Sequence, residues 1–509
     1  MRTKHFLYFT FLVFCLLIGG YFYVVDKIII RDRPIPYSYR QFLLESTKDI
    51  TGKVIIESGS NSIHSIDPFQ LSRYFNAPVV TSAANAGYPI QPKVFNLLSI
   101  ANKGDIVIFP LEWNQYSYDD QLPDNFLNAL ADEQLKLEYY FNNLTIWEKI
   151  KFAYNKYPLD KAKEGFLRYF ERNETNILRE DLARLSQFDT IINSQSSESY
   201  GNSNRNGPEP IERDGSHNRS CDQYVLGKQF HKGFKITEAF LESLDYLTLL
   251  KDKGVRVYFS WPAVADKKSS ICYESDEAKA KLDGFATSIR STVEAKGFKF
   301  IGEYQDSHFS SDCFLNTYYH LTKDCAVTRT KKLIDALTKN EVTPFENKEE
   351  NFLRLISEEV ESNRQIISLQ VAKKLSPISF ESVKSTQLSN KLLLTKGWSS
   401  QENWGVWSLG NESEVKFQVD DNVMGNELIN ITIKGHYYNG PEKTTVFING
   451  KLLGEYQLMN KSFLIPTKDL SGNIVRIEFR HIDVFSPYQL GRSKDNRAIK
   501  FGLKEISIK

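Results

Sequence analysis

The sequence lacks an excess of either charge. Its 509 residues carry 64 basic and 63 acidic side chains, a formal net charge of +1. Such a balance exerts no long-range pull on nucleic acid, and no Lys/Arg block supplies one locally. Carboxylates at metal-binding spacing are also missing, which leaves nucleic-acid processing without support. Cysteine is scarce. There are five, with no CxxC pair and no Cys/His spacing that would hold zinc, so neither a metal site nor a cofactor is expected. Long apolar runs are absent except at the start of the chain, and no small-x-small cleavage site follows that one, where Gly19-Gly20-Tyr21-Phe22 stands.

That one run, residues 6–25, is uncharged and long enough to span a hydrocarbon core as a helix. Arg2 and Lys4 precede it, which reads as an uncleaved signal anchor with its short N-terminus in the cytoplasm. Lys27, Arg31 and Arg33 weaken the charge asymmetry, and a cleaved signal peptide is the competing reading. The expected location is therefore the cytoplasmic (inner) membrane, crossed once, with the bulk of the chain periplasmic or extracytoplasmic. Cys15 lies inside the run and has no assigned role. The other four cysteines suit disulfides in an oxidising compartment. Four cysteines permit three pairings. Cys313 and Cys325 are close enough to clip one loop, which leaves Cys221 with Cys272.

Beyond the anchor (1–34), short β-branched or aromatic runs alternate with helical periodicities. "KVIIES" (53–58), "PVVTS" (78–82), "DIVIFP" (105–110), "VRVYFS" (255–260) and "FKFIG" (298–302) read as strands. Residues 68–75, 91–102, 237–253, 275–296 and 322–339 read as helices. Alternation of this kind implies an α/β domain over 35–345, a parallel sheet covered on both faces. Ligands of such sheets sit beyond the carboxyl ends of the strands. A helix-rich insertion (about 120–190) and a Ser/Asn/Gly-rich, flexible loop (194–220) interrupt it. A charged helical connector follows (346–390). From 391 to 509 alternating strands separated by Gly, Asn and Asp turns read as an all-β sandwich of jelly-roll type.

Acyl transfer needs a nucleophile, a base beside it and donors for an oxyanion. "ESGSNSIHSIDP" (57–68) places Ser60 where the first strand hands over to a helix, at the sheet edge. Ser58, Ser62 and Ser65 are alternatives, and serines in such turns also serve as caps. "SSDCFLNTYYHLTKDCAVTRTKKL" (310–333) presents His320 between Cys313 and Cys325, just before the last helix of the domain. A lone His there is more often structural; a disulfide-pinned loop that offers a His to the strand edge is less ordinary.

In joint order and spacing these motifs resemble the Ser-Gly-Asn-His (SGNH) hydrolase superfamily. The likeness is closest to its membrane-anchored branch, which includes proteins of alginate acetylation and of D-alanine transfer to teichoic acid. It covers roughly residues 50–340 and implies a three-layer, flavodoxin-like domain. "SGSNSIHSIDP" matches the strand-end block with Ser60 as nucleophile. "CFLNTYYHLTKDCAVTRTKKL" matches the block that carries His320 as general base, and "GDIVIFPLEWNQY" the third strand with its Glu- and aromatic-rich end. In "PVVTSAANAG", Thr81 stands where relatives carry Asn, and Ala83 where they carry the oxyanion-hole Gly. A backbone amide can still donate from Ala83, and Asn85 or Gly87 can serve after a small loop shift. Asn114 is the candidate third-block Asn, with Glu112 and Gln115 competing; Asn61 belongs to the same pocket, and Trp261 is expected to wall it or to pack in the core. The acid usually four residues before the His is replaced by Asn316, which can orient an imidazole but not stabilise its charge. Asp312 or Asp306 can substitute from the same loop.

In the β region, Trp398, Trp404 and Trp407 fall within ten residues, in the company of Asn and Gln, as polysaccharide-binding surfaces require; core packing is expected for at least one of them. Asp495 and Arg497 read as an internal pair. The resemblance therefore implies an anchored enzyme that moves an acyl group, most often acetyl, onto or off an envelope polysaccharide through a Ser60 ester. Transfer would need a multispan acyltransferase partner, because one span cannot carry an acyl donor across a bilayer. The alternative is a catalytically degenerate glycan-binding or assembly protein, which Asn316 and Thr81 favour.

Overall fold

A computed structural model describes residues 2–23, 38–83, 87–118, 145–156, 174–193, 235–265, 276–310, 313–314, 319–345, 352–385, 391–440, 442–470 and 472–509, with isolated positions between 160 and 167. It divides into two compact units, residues 1–171 with 191–357, and residues 172–190 with 358–509.

The first unit begins with α1 (Arg2–Tyr23), whose side chains over residues 8–20 are exposed. Among the described residues no helix is long and apolar enough to cross a membrane; the side chains of α1 are described without a break only over 8–23. Next come α2 (Tyr39–Ser46), β1 (Val54–Ile56), α3 (Ser60–Ser65), α4 (Pro68–Phe75), β2 (Val79–Thr81), α5 (Ile90–Ile100) and β3 (Ile106–Pro110). Further along the chain are α6 (Ile146–Lys156), α7 (Glu174–Asn193), which belongs to the second unit through residue 190, and then α8 (Glu238–Asp252), β4 (Arg256–Ser260), β5 (Val264–Ala265), α9 (Asp276–Ala295), β6 (Lys299–Phe300), β7 (His308–Phe309) and α10 (Lys323–Lys339) of the first.

All five strands read from the sequence are present and form one parallel sheet in the order β2-β1-β3-β4-β6. The switch in strand order falls between β1 and β3. Val54, Ile56, Ile106 and Ile108 face Leu71 and Phe75 of α4 and Leu333 and Leu337 of α10. Ile55 and Val107 point the other way and are equally buried. A strand covered on both sides must be apolar at every position, which is why these runs do not alternate. Local signals set the helix ends. Asp67 caps α4 by accepting from the Phe69 amide (3.0 Å), Pro68 takes the first helical position, and Asn76 ends the helix at φ 50°.

The second unit holds α11 (Phe352–Ala372) from its seventh residue onward and ten strands. These are β8 (Ser382–Lys384), β9 (Leu392–Lys396), β10 (Val406–Leu409), β11 (Glu412–Gln418), β12 (Leu428–Tyr437), β13 (Thr444–Ile448), β14 (Lys451–Tyr456), β15 (Asn460–Pro466), β16 (Ile474–His481) and β17 (Ile499–Ile508). Two antiparallel sheets, β10-β17-β12-β15 with β8 on β17, and β14-β13-β16-β11-β9, enclose a core that includes Val415, Phe417, Ile431, Ile477, Phe479 and Phe501. Residues 172–190, which the sequence places with the helical insertion, belong to this unit. The reason is Arg364 of α11, a fully buried guanidinium that donates to the Asp189 carboxylate and to the Leu185 carbonyl (3.4 Å).

Candidate active site

The loops after β1, β2, β3 and β4 gather at the carboxyl edge of the sheet. After β1 the chain turns at Gly59 and enters α3 at Ser60 itself, earlier than the sequence suggests. This helix is six residues long and rich in Ser and Asn, so its own propensity is poor. Its start is held by Glu112 from the end of β3. One carboxylate oxygen accepts from the Gly59 amide (2.9 Å), the other from the Asn61 amide (3.0 Å), so the buried carboxylate straddles Ser60. Burial raises the Glu112 pKa, against the opposing Lys93 charge and the amide bonds.

Beneath this turn lies a cluster that the sequence does not announce. Lys93 of α5 donates to the Ser58 carbonyl (2.6 Å) and sits 3.7 Å from the Glu57 carboxylate. Glu57 also accepts from the Ser82 hydroxyl. Burial pushes the Glu57 carboxyl up to about 7, against the pull of Lys93, Ser82 and Arg40. Burial likewise lowers Lys93, against Glu57 and Glu112. The available signal is a Lys inside a mostly apolar helix and a Glu ending a strand buried on both faces. Arg40 donates to the Ala83 carbonyl (2.8 Å) and so fixes the loop after β2. Ala83 is buried, Gly87 lies on a turn, and Asn85 falls outside the described residues.

Asn61 is occupied within the protein. Its amide group donates to the Pro110 carbonyl (2.6 Å) and to Ser58 Oγ (3.3 Å). Its oxygen accepts from Arg329 (2.6 Å) and from the Ala263 amide (3.1 Å). It therefore ties β1, β3, β4 and α10 together instead of facing a ligand. Arg329 is buried, also donates to the Trp261 carbonyl (3.0 Å), and has its pKa pulled down to about 9 by burial, against the Glu112 charge. Trp261 is itself buried, stacked on Trp113 with ring centroids 5.1 Å apart and packed on Phe300 at 4.2 Å. Asn114 is half-buried and donates to the Tyr118 hydroxyl (2.9 Å), while Gln115 donates to the Tyr88 carbonyl (2.9 Å).

The two sequence stretches that matter meet at α3. The Ser65 hydroxyl donates to the Tyr319 carbonyl, and the Asp67 amide donates to Thr330 Oγ1 (2.8 Å). The imidazole of His320, 8% exposed, packs on that of His64 with ring centroids 4.0 Å apart. His64 is four residues past Ser60, hence on the same helix face one turn further along. Nothing in the sequence singles out this second imidazole. The His320 loop is pinned by the Cys313–Cys325 disulfide, by the Phe314–Leu321 bridge, and by the Thr322 amide on the Cys313 carbonyl (2.7 Å). Phe309, Phe314 and Leu321 pack against Ala263 beside it. Among the described residues the Ser60 hydroxyl makes no hydrogen bond, so His320 meets this helix at His64 and is not bonded to Ser60. Asp312, Asn316, Cys221 and Cys272 lie outside the described residues. Asp306 is exposed and its carboxylate accepts from the Glu303 amide in a turn (3.4 Å).

In the second unit the three tryptophans part company. Trp398 packs edge-on against Phe479 of the core and donates to the Glu414 carbonyl (2.7 Å). Trp404 and Trp407 are half-buried and surround His436, with ring centroids 4.5 and 4.7 Å away, and Tyr438 lies 5.9 Å from Trp407. Gly502 of β17 makes room for them, since a Cβ there would sit 2.6 Å from the Trp404 ring. Arg497 pairs with Asp495 at 2.7 Å, as expected, and also with Glu402.

No family model matches the chain, and no curated protein matches it in sequence. Among solved structures it is similar to an acetyl xylan esterase (Est2A) from the rumen bacterium Butyrivibrio proteoclasticus, at 12% identity and TM-score 0.17, over 25% of this chain and 31% of that one. The secreted serine protease VesC from Vibrio cholerae matches at 13% identity and TM-score 0.16, over 28% of this chain and 26% of that one. A family 35 carbohydrate binding module from Clostridium thermocellum matches at 7% identity and TM-score 0.14, over 26% of this chain and 97% of that one. The chain thus spans under a third of the first two.

Proposed function

We propose that the protein is a membrane-anchored, extracytoplasmic O-acyl (acetyl) transferase or esterase of the SGNH type, acting on an envelope polysaccharide. The observation that carries this reading is the packing of His320 on the face of the helix that begins at Ser60. In the proposed chemistry Ser60 Oγ attacks the acyl carbonyl carbon and its proton passes to His320. His320 returns that proton to the departing alcohol or carrier, leaving an acyl-serine. A sugar hydroxyl or water, deprotonated by His320, then attacks the ester and restores Ser60. The half-buried Trp404, Trp407 and His436 are proposed to hold glycan. Transfer additionally requires an acyl donor brought across the membrane by a multispan partner.

Hydrolysis of a chromogenic acetyl ester tests the reading. His320→Ala is expected to lower the rate by about 10²–10⁴-fold, the usual worth of a general base. An unchanged rate removes His320 from the proposal.

One observation favours a second reading, a glycan-binding or assembly protein without catalysis. The Gly59 and Asn61 amides, which flank Ser60 and are suited to an anion, already hold Glu112. Absence of any turnover in the wild type, with glycan still bound, would select it.

A further inference from the structure

Outside α1, the most exposed large apolar side chains among the described residues of the first unit sit together on α6. Ile146, Trp147 and Tyr154 are 65%, 75% and 80% exposed, against 49% for Leu249, the next described there. Trp147, Lys151 and Tyr154 follow an i, i+4, i+7 spacing and so share one helix face, while Phe152 and Ala153 are buried on the other. In water such a face leaves apolar area uncovered.

Its position says what covers it. The carbonyl of Ala153, on the buried side of α6, accepts from the Tyr21 hydroxyl of the last turn of α1 (2.8 Å). α6 is therefore fastened to the end of the helix along which Phe9, Phe11, Leu12, Phe14, Leu16 and Leu17 are exposed. Trp and Tyr beside the end of an apolar helix are what the bilayer interface selects, because their rings are apolar and their polar tips reach water. Lysines complete the pattern. α6 carries Lys149, Lys151 and Lys156 against one acid, Glu148. The stems of Lys149 and Lys151 can lie along apolar surface while their ammonium groups meet anionic headgroups.

We infer that α6 lies flat in the headgroup boundary of the membrane that α1 enters, with Trp147, Lys151 and Tyr154 turned to lipid. This rests on the anchor reading and adds a second contact, which would hold the α/β unit at a fixed height and tilt over the bilayer.

The test uses the full chain in nanodiscs of mixed neutral and anionic lipid, with brominated chains as quenchers. Subtracting the emission of Trp147→Phe from that of the wild type isolates Trp147. The expected result is a blue-shifted Trp147 component, quenched more by bromine near the carbonyls than by bromine near the chain ends, with less quenching in Tyr154→Ser. A chain that copurifies with the discs yet shows an unquenched Trp147 overturns the inference and leaves the anchor standing. Shielding of that Trp147 from aqueous iodide without lipid quenching also overturns it, and points to a second copy on this face. Failure of the chain to copurify with the discs overturns the anchor reading, and the inference with it.

Discussion

Glu57 shows how one side chain ties the candidate site to pH. Unfolded, its carboxyl titrates near the ordinary 4.5; folded, burial moves it to about 7. Between those values the folded chain keeps a proton that the unfolded chain has released. The Glu57 contribution to stability is therefore lost as pH rises from about 4.5 through about 7. Glu57→Gln keeps an acceptor for the Ser82 hydroxyl and removes the titration. Urea midpoints should fall between about pH 5 and about pH 8 in the wild type and fall less in the variant. Equal falls would assign the pH dependence to another group.

At the scale of elements, the short helix α3 and the pinned His320 loop depend on each other. Cys313 and Cys325 are 12 residues apart, and closing a loop of that size contributes about 3 kcal/mol through the unfolded chain. Replacing both by Ser should lower stability by about that much, read from urea unfolding. It should also lower esterase turnover more than substrate affinity, because the loop that carries His320 loosens. A loss of stability with turnover intact would confine the disulfide to a structural role. The sequence is most informative at this scale. Strands β1, β2 and β3 are readable because burial on both faces demands unbroken apolar runs, α4 and α8 because their periodicity and their Asp67 and Thr237 caps are local, and α9 and α10 from periodicity alone. By contrast, α3 reads as a loop. Its start is fixed by Glu112, which is distant in sequence, and no local propensity records that bond. His64 escapes notice for the same reason, since its partner arrives from residue 320.

For the whole molecule, the two units divide the proposed labour, and the division can be measured. Trp404→Ala with Trp407→Ala should weaken binding to acetylated envelope polysaccharide by about 1–3 kcal/mol in titration calorimetry, the scale expected when two aromatic rings are removed from a binding face. The same variant should hydrolyse a small acetyl ester at the wild-type rate, because neither tryptophan belongs to the unit that holds Ser60. Unchanged polysaccharide affinity would return the Trp404–Trp407–His436 cluster to a packing role. Trp398, bonded to Glu414 and lodged against Phe479, serves as the internal comparison, since its replacement should cost stability first.

The most direct measurement is intact-mass spectrometry of the protein after exposure to an activated serine reagent. One adduct that maps to Ser60, lost in Ser60→Ala and formed far more slowly in His320→Ala, is the predicted result. Labelling that persists in Ser60→Ala, or proceeds at the same rate without the imidazole at 320, would contradict it.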